Sequence, residues 1–314
     1  MRLAVIADPL DSFKIYKDST YALMLAAQQR GHEIFVVLQE DLYSIGAHVR
    51  CSARKLAIGD QSPDWAQLDA AFDYALHEFD CVLMRKDPPF DMEYIFTTYM
   101  LELAQAQGAR VFNNPRAVRD HNEKFAINKF AQFTAPTLAT RDAGRIREFL
   151  AEHRSIVVKP LDAMGGSGIF KLVEGDANVN AVIESVGRLG SRTVMAQRFI
   201  DDIRAGDKRI LIIDGQVVPY ALARIPAADD FRGNLAAGAR GVAQPLSPRD
   251  REIAETLAPA LKALDLFIVG LDVIGDYLTE VNVTSPTGMR EIAAQTDCDP
   301  ARMTIDALEA RLNG

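Results

Sequence analysis

The stretch Lys159-Pro160-Leu161-Asp162-Ala163-Met164-Gly165-Gly166-Ser167-Gly168 joins two apolar runs, residues 155–159 and 169–173. Both runs read as strands. Three glycines and a serine between strands let backbone N–H groups turn towards one point, a geometry that suits a phosphate, and Lys159 adds a positive charge at the end of the first strand. No Gly-Lys-Ser/Thr closes the loop, so it is not a Walker A loop. Taken alone, the same glycines would also serve a plain turn. A second lysine, Lys124, follows Asn122-Glu123; in isolation it reads as a solvated helix lysine.

A partner for such a loop stands near the C-terminus. Residues two apart on a strand share a face, so Glu280 and Asn282 point one way while Val281 and Val283 point to the core. Asp272, flanked by Leu271 and Val273, reaches the same face if it pairs opposite Glu280, which is expected to need a three-residue connection, Gly275-Asp276-Tyr277. Two carboxylates and an amide oxygen make a hard-oxygen set suited to Mg2+ that also touches phosphates. The competing reading is the polar outer face of a hairpin. Arg209 and Arg224 at the ends of an expected hairpin, with Arg232 and Arg240 in the segment after it, could bind carboxylate or phosphate and stabilise developing negative charge.

Outward from these motifs, three regions emerge. Residues 2–7, 32–38, 80–84 and 110–113 read as strands, with helices at 19–30 and 92–107, and this alternation implies a mostly parallel sheet over 1–121. Residues 51–69 lack periodicity and read as a loop with some short structure. No GxGxxG follows the first strand, so a dinucleotide site has no support. Residues 122–200 read as a small α+β unit, with helices at 123–130 and 143–152 and extended segments at 136–140, 155–159 and 169–173. Within 201–314, strands at 209–214 and 216–224 meet at Asp214-Gly215, a strong hairpin signal. A helix follows Ser247-Pro248, and strands are expected at 267–274 and 277–283. Residues 225–245, rich in Gly, Ala and Arg, read as a long loop, with 225–240 a flap over the site.

The 314 residues carry 35 Lys and Arg against 43 Asp and Glu, a net charge of −8, which argues against a generally basic nucleic-acid-binding surface. Cys51, Cys81 and Cys298 form no CxxC pair and read as apolar fillers in a reducing, cytoplasmic setting. The apolar run 3–7 is too short for a signal peptide, and no run approaches the roughly 20 residues of a membrane span.

In their order along the chain, Lys124, Lys159 with its glycine loop, Asp272 and the Glu280-x-Asn282 pair resemble the ATP-grasp superfamily. Within it the chain is similar to the bacterial glutathione synthetase family through Met84-Arg-Lys-Asp-Pro-Pro-Phe90, Gly206-Asp-Lys-Arg209, Arg232-Gly-Asn-Leu-Ala-Ala-Gly238 and Thr279-Glu-Val-Asn-Val-Thr-Ser-Pro286. The resemblance runs from the first strand to the terminal helix. It implies an ATP-grasp fold, α/β and α+β, preceded by an N-terminal parallel-sheet domain, and ATP-dependent ligation of γ-glutamylcysteine and glycine through an acyl phosphate. It further implies ATP held by Lys124, Lys159, Gly165, Gly166, Ser167, Gly168, Gln197, Arg198, Phe199, Ile200 and Asp207. Two Mg2+ ions, with Mn2+ as a substitute, would sit on Asp272, Glu280 and Asn282. Arg209, Arg224, Arg232 and Arg240 would act in catalysis, and Asp18, Arg85 and Ser285 would touch substrate. A homo-oligomer, a tetramer, is expected, with neither nucleic acid nor membrane as partner. Another ATP-grasp carboxylate–amine ligase, or a non-catalytic ATP-binding regulatory module, is the alternative.

Overall fold

The computed structural model describes residues 1–59, 64–228, 230–233, 235 and 238–313. The first sheet is built from β1 (Arg2–Ala7), β2 (Glu33–Leu38), β3 (Leu42–Ile45), β4 (His48–Ile58), β5 (Ala66–Ala75), β6 (Cys81–Met84) and β7 (Val111–Phe112). Helices α1 (Ser19–Gln29), α2 (Met92–Ala106) and α3 (Pro115–Asp120) accompany it. Asp18, Asp91 and Asn114 start these helices by accepting the amides of Tyr21, Tyr94 and Ala117, the local reason each begins where it does.

This sheet is mixed, not mostly parallel. β1 pairs in parallel with β2 and β6, and β6 with β7, but β4 runs antiparallel to β2, β3 and β5. Residues 51–69, expected to be a loop, instead hold most of β4 and the start of β5. Val49, Cys51, Ala53, Leu56 and Ile58 are buried along β4, and interspersed Arg50, Arg54 and Lys55 break the apolar run that would have marked it as a strand.

The second sheet has the order β10-β9-β11-β8 from β8 (Thr137–Thr140), β9 (Ser155–Pro160), β10 (Phe170–Val173) and β11 (Val194–Arg198), backed by α4 (Ala143–His153) and α5 (Val179–Val186). Residues 123–130, expected as a helix, instead lead into 3-10 turns over Phe125–Phe133 with a kink at Phe130. The third sheet has the order β14-β13-β12-β15-β16: β12 (Asp207–Ile213), β13 (Gln216–Ile225), β14 (Arg240–Pro245), β15 (Ile268–Ile274) and β16 (Tyr277–Asn282). Helices α6 (Pro248–Ala263), α7 (Met289–Gln295) and α8 (Pro300–Asn313) complete the chain. Asp214 and Gly215 both have positive φ, as the expected tight hairpin demands. The end of the expected long loop is strand β14, which pairs with β13 from Ile225↔Arg240 to Tyr220↔Pro245. Of the expected flap 225–240, residues 229, 234, 236 and 237 lie outside the described residues.

Asp272 does pair with Glu280, by a different route from the one expected. Ile274 pairs with Tyr277 across a two-residue turn, and the register then shifts between Asp272 and Val273, leaving Thr279 as the extra residue of a β-bulge. The Thr279 hydroxyl donates to the Asp272 carbonyl at 3.1 Å, inside the bulge.

Two hydrophobic clusters run between the first and third sheets, one joining Ile6, Val82 and Leu101 with Ile210, Leu257 and Val281, the other joining Val5, Leu23 and Ile34 with Leu211, Phe267 and Ile305. The second sheet keeps a smaller cluster of its own around Ile146, Ile156 and Ile183. Between the large sheets, Asn113 supplies the polar tie. Its Nδ2 donates to the carbonyls of Ile268 at 2.8 Å and Val283 at 2.7 Å, and its Oδ1 accepts the Ile268 amide at 2.7 Å. Among the described residues no helix is long and apolar enough to cross a membrane.

Asn113→Ala leaves three buried backbone groups without partners, at about 1–3 kcal/mol each, so a stability loss on the order of 3 kcal/mol or more is expected. Urea unfolding followed by the fluorescence of Trp65, the sole tryptophan, measures it, and an unchanged midpoint would remove Asn113 as the tie. Burial pushes the thiols of Cys51 and Cys81 up to about 12, whereas Cys298 is only half-buried. A thiol reagent at pH 8 should therefore modify one cysteine per folded chain, Cys298, and three after unfolding; mass spectrometry of the labelled peptides decides.

Candidate active site

One face of the third sheet carries the charge. Arg209 lies opposite Asp272, Asp207 opposite Arg224, and Asp272 opposite Glu280, so three strand pairings place five ionisable side chains in one layer. Arg209 grips Asp272 with two bonds, Nε to Oδ1 at 2.5 Å and Nη2 to Oδ2 at 3.0 Å. Arg224 Nη2 bridges Asp207 Oδ2 at 2.5 Å and Asp272 Oδ2 at 2.9 Å. Gly270 makes this possible, because a Cβ there would lie 2.8 Å from Arg209 Cδ.

Burial would raise the Asp272 carboxyl, but the two guanidiniums outweigh it and hold it well below the ordinary carboxylate range. Asp207 goes the other way. Burial, aided by nearby Asp272 and Glu280, outweighs Arg224 and pushes it up to about 7, and among the described residues its Oδ1 has no hydrogen-bond partner.

Lys124 and Lys159 approach this layer from the side of the second sheet. Both are buried, and their ammonium groups stand 3.5 Å and 3.7 Å from Glu280 Oε1. Lys124 is thus no solvated helix lysine. Burial favours a protonated Glu280, but the two lysines overcome it and lower its pKa; burial also lowers that of Lys159. Lys124 Nζ donates to the Ala163 carbonyl at 2.6 Å, at the mouth of the glycine loop, and Lys159 Nζ to the Thr279 carbonyl at 3.3 Å, within the bulge. Gly165, Gly166 and Gly168 have φ of 63°, 83° and 71°, a left-handed path that side chains resist; Ser167 lies between them.

Two cavities meet at this layer. A polar one of about 380 Å3 is walled by Lys124, Gly165, Arg209, Arg224 and Asn282, and reaches Asp18, Asp87, Ser285 and Glu291 at its other end. A smaller, more apolar slot lies between the second and third sheets, lined by Val157, Ile169, Gln197, Arg198, Phe199, Ile200 and Ile274, with Asp207 and Arg232. Asp272 and Glu280 line both. In the slot, Lys171 Nζ sits 3.6 Å from the centroid of the Phe199 ring, and Gln197 Nε2 donates to Thr137 Oγ1 at 2.9 Å.

Arg232 is paired with Asp230 and directs Nη1 towards the Gly166 carbonyl at 3.5 Å. Arg240, on edge strand β14, is exposed and lines neither cavity. Asp18 caps α1 while facing the polar cavity. Arg85 is buried behind that wall, with Nη2 on the Pro286 carbonyl at 2.9 Å and Nη1 without a partner among the described residues.

Glu123 was not singled out from the sequence. The Oε1 of this half-buried side chain accepts the amides of Val283 and Thr284 and the Thr284 hydroxyl, and its carbonyl accepts the Val281 amide at 2.9 Å. It therefore fastens the Lys124 turn to the strand bearing Glu280 and Asn282. Only its place beside Lys124 could have hinted at this. Thr279 opens a family motif, but nothing in it signalled the bulge, and Glu291 carried no signal.

A divalent cation fits this donor set. Asp272 and Glu280 stand opposite each other, and Asn282 Nδ2 is held by the Gly270 carbonyl at 3.2 Å, which leaves its Oδ1 to serve as a ligand. Among the described residues no three His, Cys, Asp or Glu side chains gather as a closed metal cage. Few protein ligands, all oxygen, suit an ion that keeps waters and phosphates in its shell.

Comparison with known proteins agrees with this geometry. The family model for the prokaryotic glutathione synthetase N-terminal domain matches residues 1–119, and that for the prokaryotic glutathione synthetase ATP-grasp domain matches 123–297. The chain is 56% identical to a glutathione synthetase of Nitrosomonas europaea over 99% of this chain and 98% of that one. It is 51% identical to one of Pseudomonas aeruginosa over 99% and 98%. Among solved structures, a D-cycloserine synthetase superposes with a TM-score of 0.70 at 18% identity, covering 99% of this chain and all of the other, a likeness of fold. With nearly the whole length matched, and the buried lysines, glycine loop and Asp272/Glu280/Asn282 face in one place, the chain belongs to the prokaryotic glutathione synthetase family, whose C-terminal part is an ATP-grasp domain.

Proposed function

We propose that this protein joins γ-L-glutamyl-L-cysteine to glycine at the expense of ATP, releasing glutathione, ADP and phosphate. The observation that carries this reading is the sharing of Asp272 and Glu280 by two cavities of different character. A flat heteroaromatic base suits the apolar slot, a zwitterionic dipeptide suits the polar cavity, and the wall between them is where a phosphoryl group would pass.

A carboxylate is a poor acyl donor, so it must be activated. The cysteinyl carboxylate oxygen attacks the γ-phosphorus, the bond from that phosphorus to the β-phosphate oxygen breaks, and ADP leaves. The glycine amine then attacks the acyl carbon, phosphate departs with the C–O bonding pair, and the amine gives up a proton. Lys124, Lys159 and the amides of Gly165–Gly168 neutralise and orient the triphosphate. Asp272, Glu280 and Asn282 would hold Mg2+, which would neutralise phosphate charge when bound; we place two ions there, with Mn2+ able to substitute. Arg209, fixed by Asp272, presents its Nη1 edge to the acyl oxygen, and Arg224 keeps Asp272 ionised. Gln197–Ile200 with Asp207 flank the nucleotide, and Arg232 joins the glycine loop at its edge. Asp18, Ser285 and, through the wall, Arg85 serve the dipeptide end. We give Arg240 no part. A cytoplasmic homo-oligomer, a tetramer by family resemblance, completes the reading.

ADP should form at steady state only with γ-glutamylcysteine, glycine, ATP and Mg2+ all present. A coupled ADP assay that omits each in turn tests this, and equal turnover with D-alanine as sole amino-acid substrate would assign another ligase. Glu280→Gln removes a charge beside the transferring group and should lower kcat by roughly 100-fold or more. Unchanged turnover at saturating Mg2+ would take Glu280 out of the site.

A further inference from the structure

Glycine enters the joining step as an ammonium, and an ammonium nitrogen has no lone pair, so one proton must leave before the N–C bond forms. Six carboxylates among the described residues line the polar cavity: Asp18, Asp87, Glu123, Asp272, Glu280 and Glu291. Asp272 and Glu280 are held ionised by arginines and lysines, which makes them poor proton acceptors. Asp18, Asp87 and Glu291 stand at the other end of the cavity. Glu123 is left at the end that carries the charged layer. Its Oε1 accepts three bonds, from the Val283 amide at 2.9 Å, the Thr284 amide at 3.0 Å and the Thr284 hydroxyl at 2.8 Å, whereas Oε2 accepts none among the described residues. Those bonds fix the plane of the carboxylate, and the side chain is half-buried rather than sealed, so Oε2 stays open to the cavity. The next residue, Lys124, reaches both Glu280 and the Ala163 carbonyl beside the glycine loop. Burial, with Glu280 adding to it, outweighs the three hydrogen bonds and raises the proton affinity of Glu123, which suits a proton acceptor near neutral pH. The other ionisable groups around it are Lys124 and Tyr94, with His121 and Asp162 across a small side pocket.

We propose that Glu123 is the general base for the amine of glycine, a role that rests on the ligase reading above. Oε2 takes one proton from the ammonium, and the freed lone pair attacks the acyl carbon. The bond from that carbon to the phosphate oxygen then breaks, and phosphate keeps the electron pair. The departing phosphate takes the second amine proton and leaves as hydrogen phosphate, so the new amide keeps one N–H and Glu123 passes its own proton to water. The side pocket, of about 20 Å3, shares Pro88, Glu123 and Lys124 with the polar cavity, which is room for one water on that route. Glu123 thus has two duties on its two oxygens: Oε1 fastens the Lys124 turn to β16, and Oε2 serves the nucleophile.

Glu123→Gln separates the two duties, because an amide oxygen still accepts the bonds from Val283 and Thr284 but takes no proton. With γ-glutamylcysteine, ATP and Mg2+ supplied, two nucleophiles are compared. Glycine is an ammonium and needs a base; hydroxylamine is unprotonated near neutral pH and converts an acyl phosphate to a hydroxamate without one. The variant should lose about 100-fold in kcat/KM for glycine, the scale of a missing general base, while hydroxamate formation stays near that of the wild type. Equal losses with both nucleophiles would make Glu123 only the tie that seats Lys124, and an unchanged glycine reaction would remove it from the chemistry; either result overturns the proposal. The wild type supplies a second measurement should the variant fail to fold. Its kcat/KM for glycine should level off at a pH well below the pKa of glycine's own amine, whereas a rate that climbs in step with the free amine would show that no base on the protein acts. If the wild type forms no ADP with glycine and γ-glutamylcysteine, the ligase reading itself falls and the role of Glu123 with it.

Discussion

The site depends on one buried carboxylate held between two guanidiniums. Asp272 is 2% exposed, and removing such a charge from water is costly unless it is paired and fully hydrogen-bonded. Arg209 meets it through a two-point fork, and Arg224 reaches across from β13 to take its second oxygen. The arrangement works because all three residues stand on one face of adjacent antiparallel strands, where register sets side-chain separation. Removing either arginine would leave a charge stranded in the sheet.

The neighbouring charges follow from that anchor. Burial raises the affinity of Asp207 for a proton, and with Asp272 ionised the like charges beside it add to that rise against the shared Arg224. Glu280 draws its positive charge from Lys124, whose turn is fastened to β16, and from Lys159 on β9 across the cleft. The lysines are buried opposite Glu280, within reach of its carboxylate and of the carbonyls at the loop and the bulge. Those charge-assisted contacts draw the second sheet towards the third, although the second sheet has an apolar cluster of its own. Closure of the cleft and assembly of the charged face are thus the same set of contacts.

The first sheet serves the site at a distance. Its apolar clusters continue into the third sheet, and Asn113 joins the backbones of β15 and the segment after β16. This fixes the polar cavity, since Asp18 and Asp87 come from the first region and Asn282 and Ser285 from the last. That cavity is therefore walled by residues some 270 positions apart in the chain, Asp18 and Ser285 among them, and it exists only while both sheets stay docked.

Much of the active face was legible in the order of residues. Alternation of polar and apolar side chains around Asp272 and Glu280 is a local property with a period of two, and it reports facing wherever the strand is regular. The glycine loop and the Asp214-Gly215 hairpin were legible for the same reason, since backbone conformation at glycine is a local matter. Family motifs added the identity of the chemistry. Local pattern failed where pairing between strands decides: β4, with its mixed apolar and charged residues, is held between β2 and β3 on one side and β5 on the other, and β14 forms because β13 offers it an edge. The Thr279 bulge escaped notice because one extra residue in a strand leaves no trace in composition. That Lys124 is buried against Glu280, and that Glu123 ties its turn to β16, was decided by the tertiary structure alone, because the energy of a charge depends on what surrounds it and a sequence does not state its surroundings.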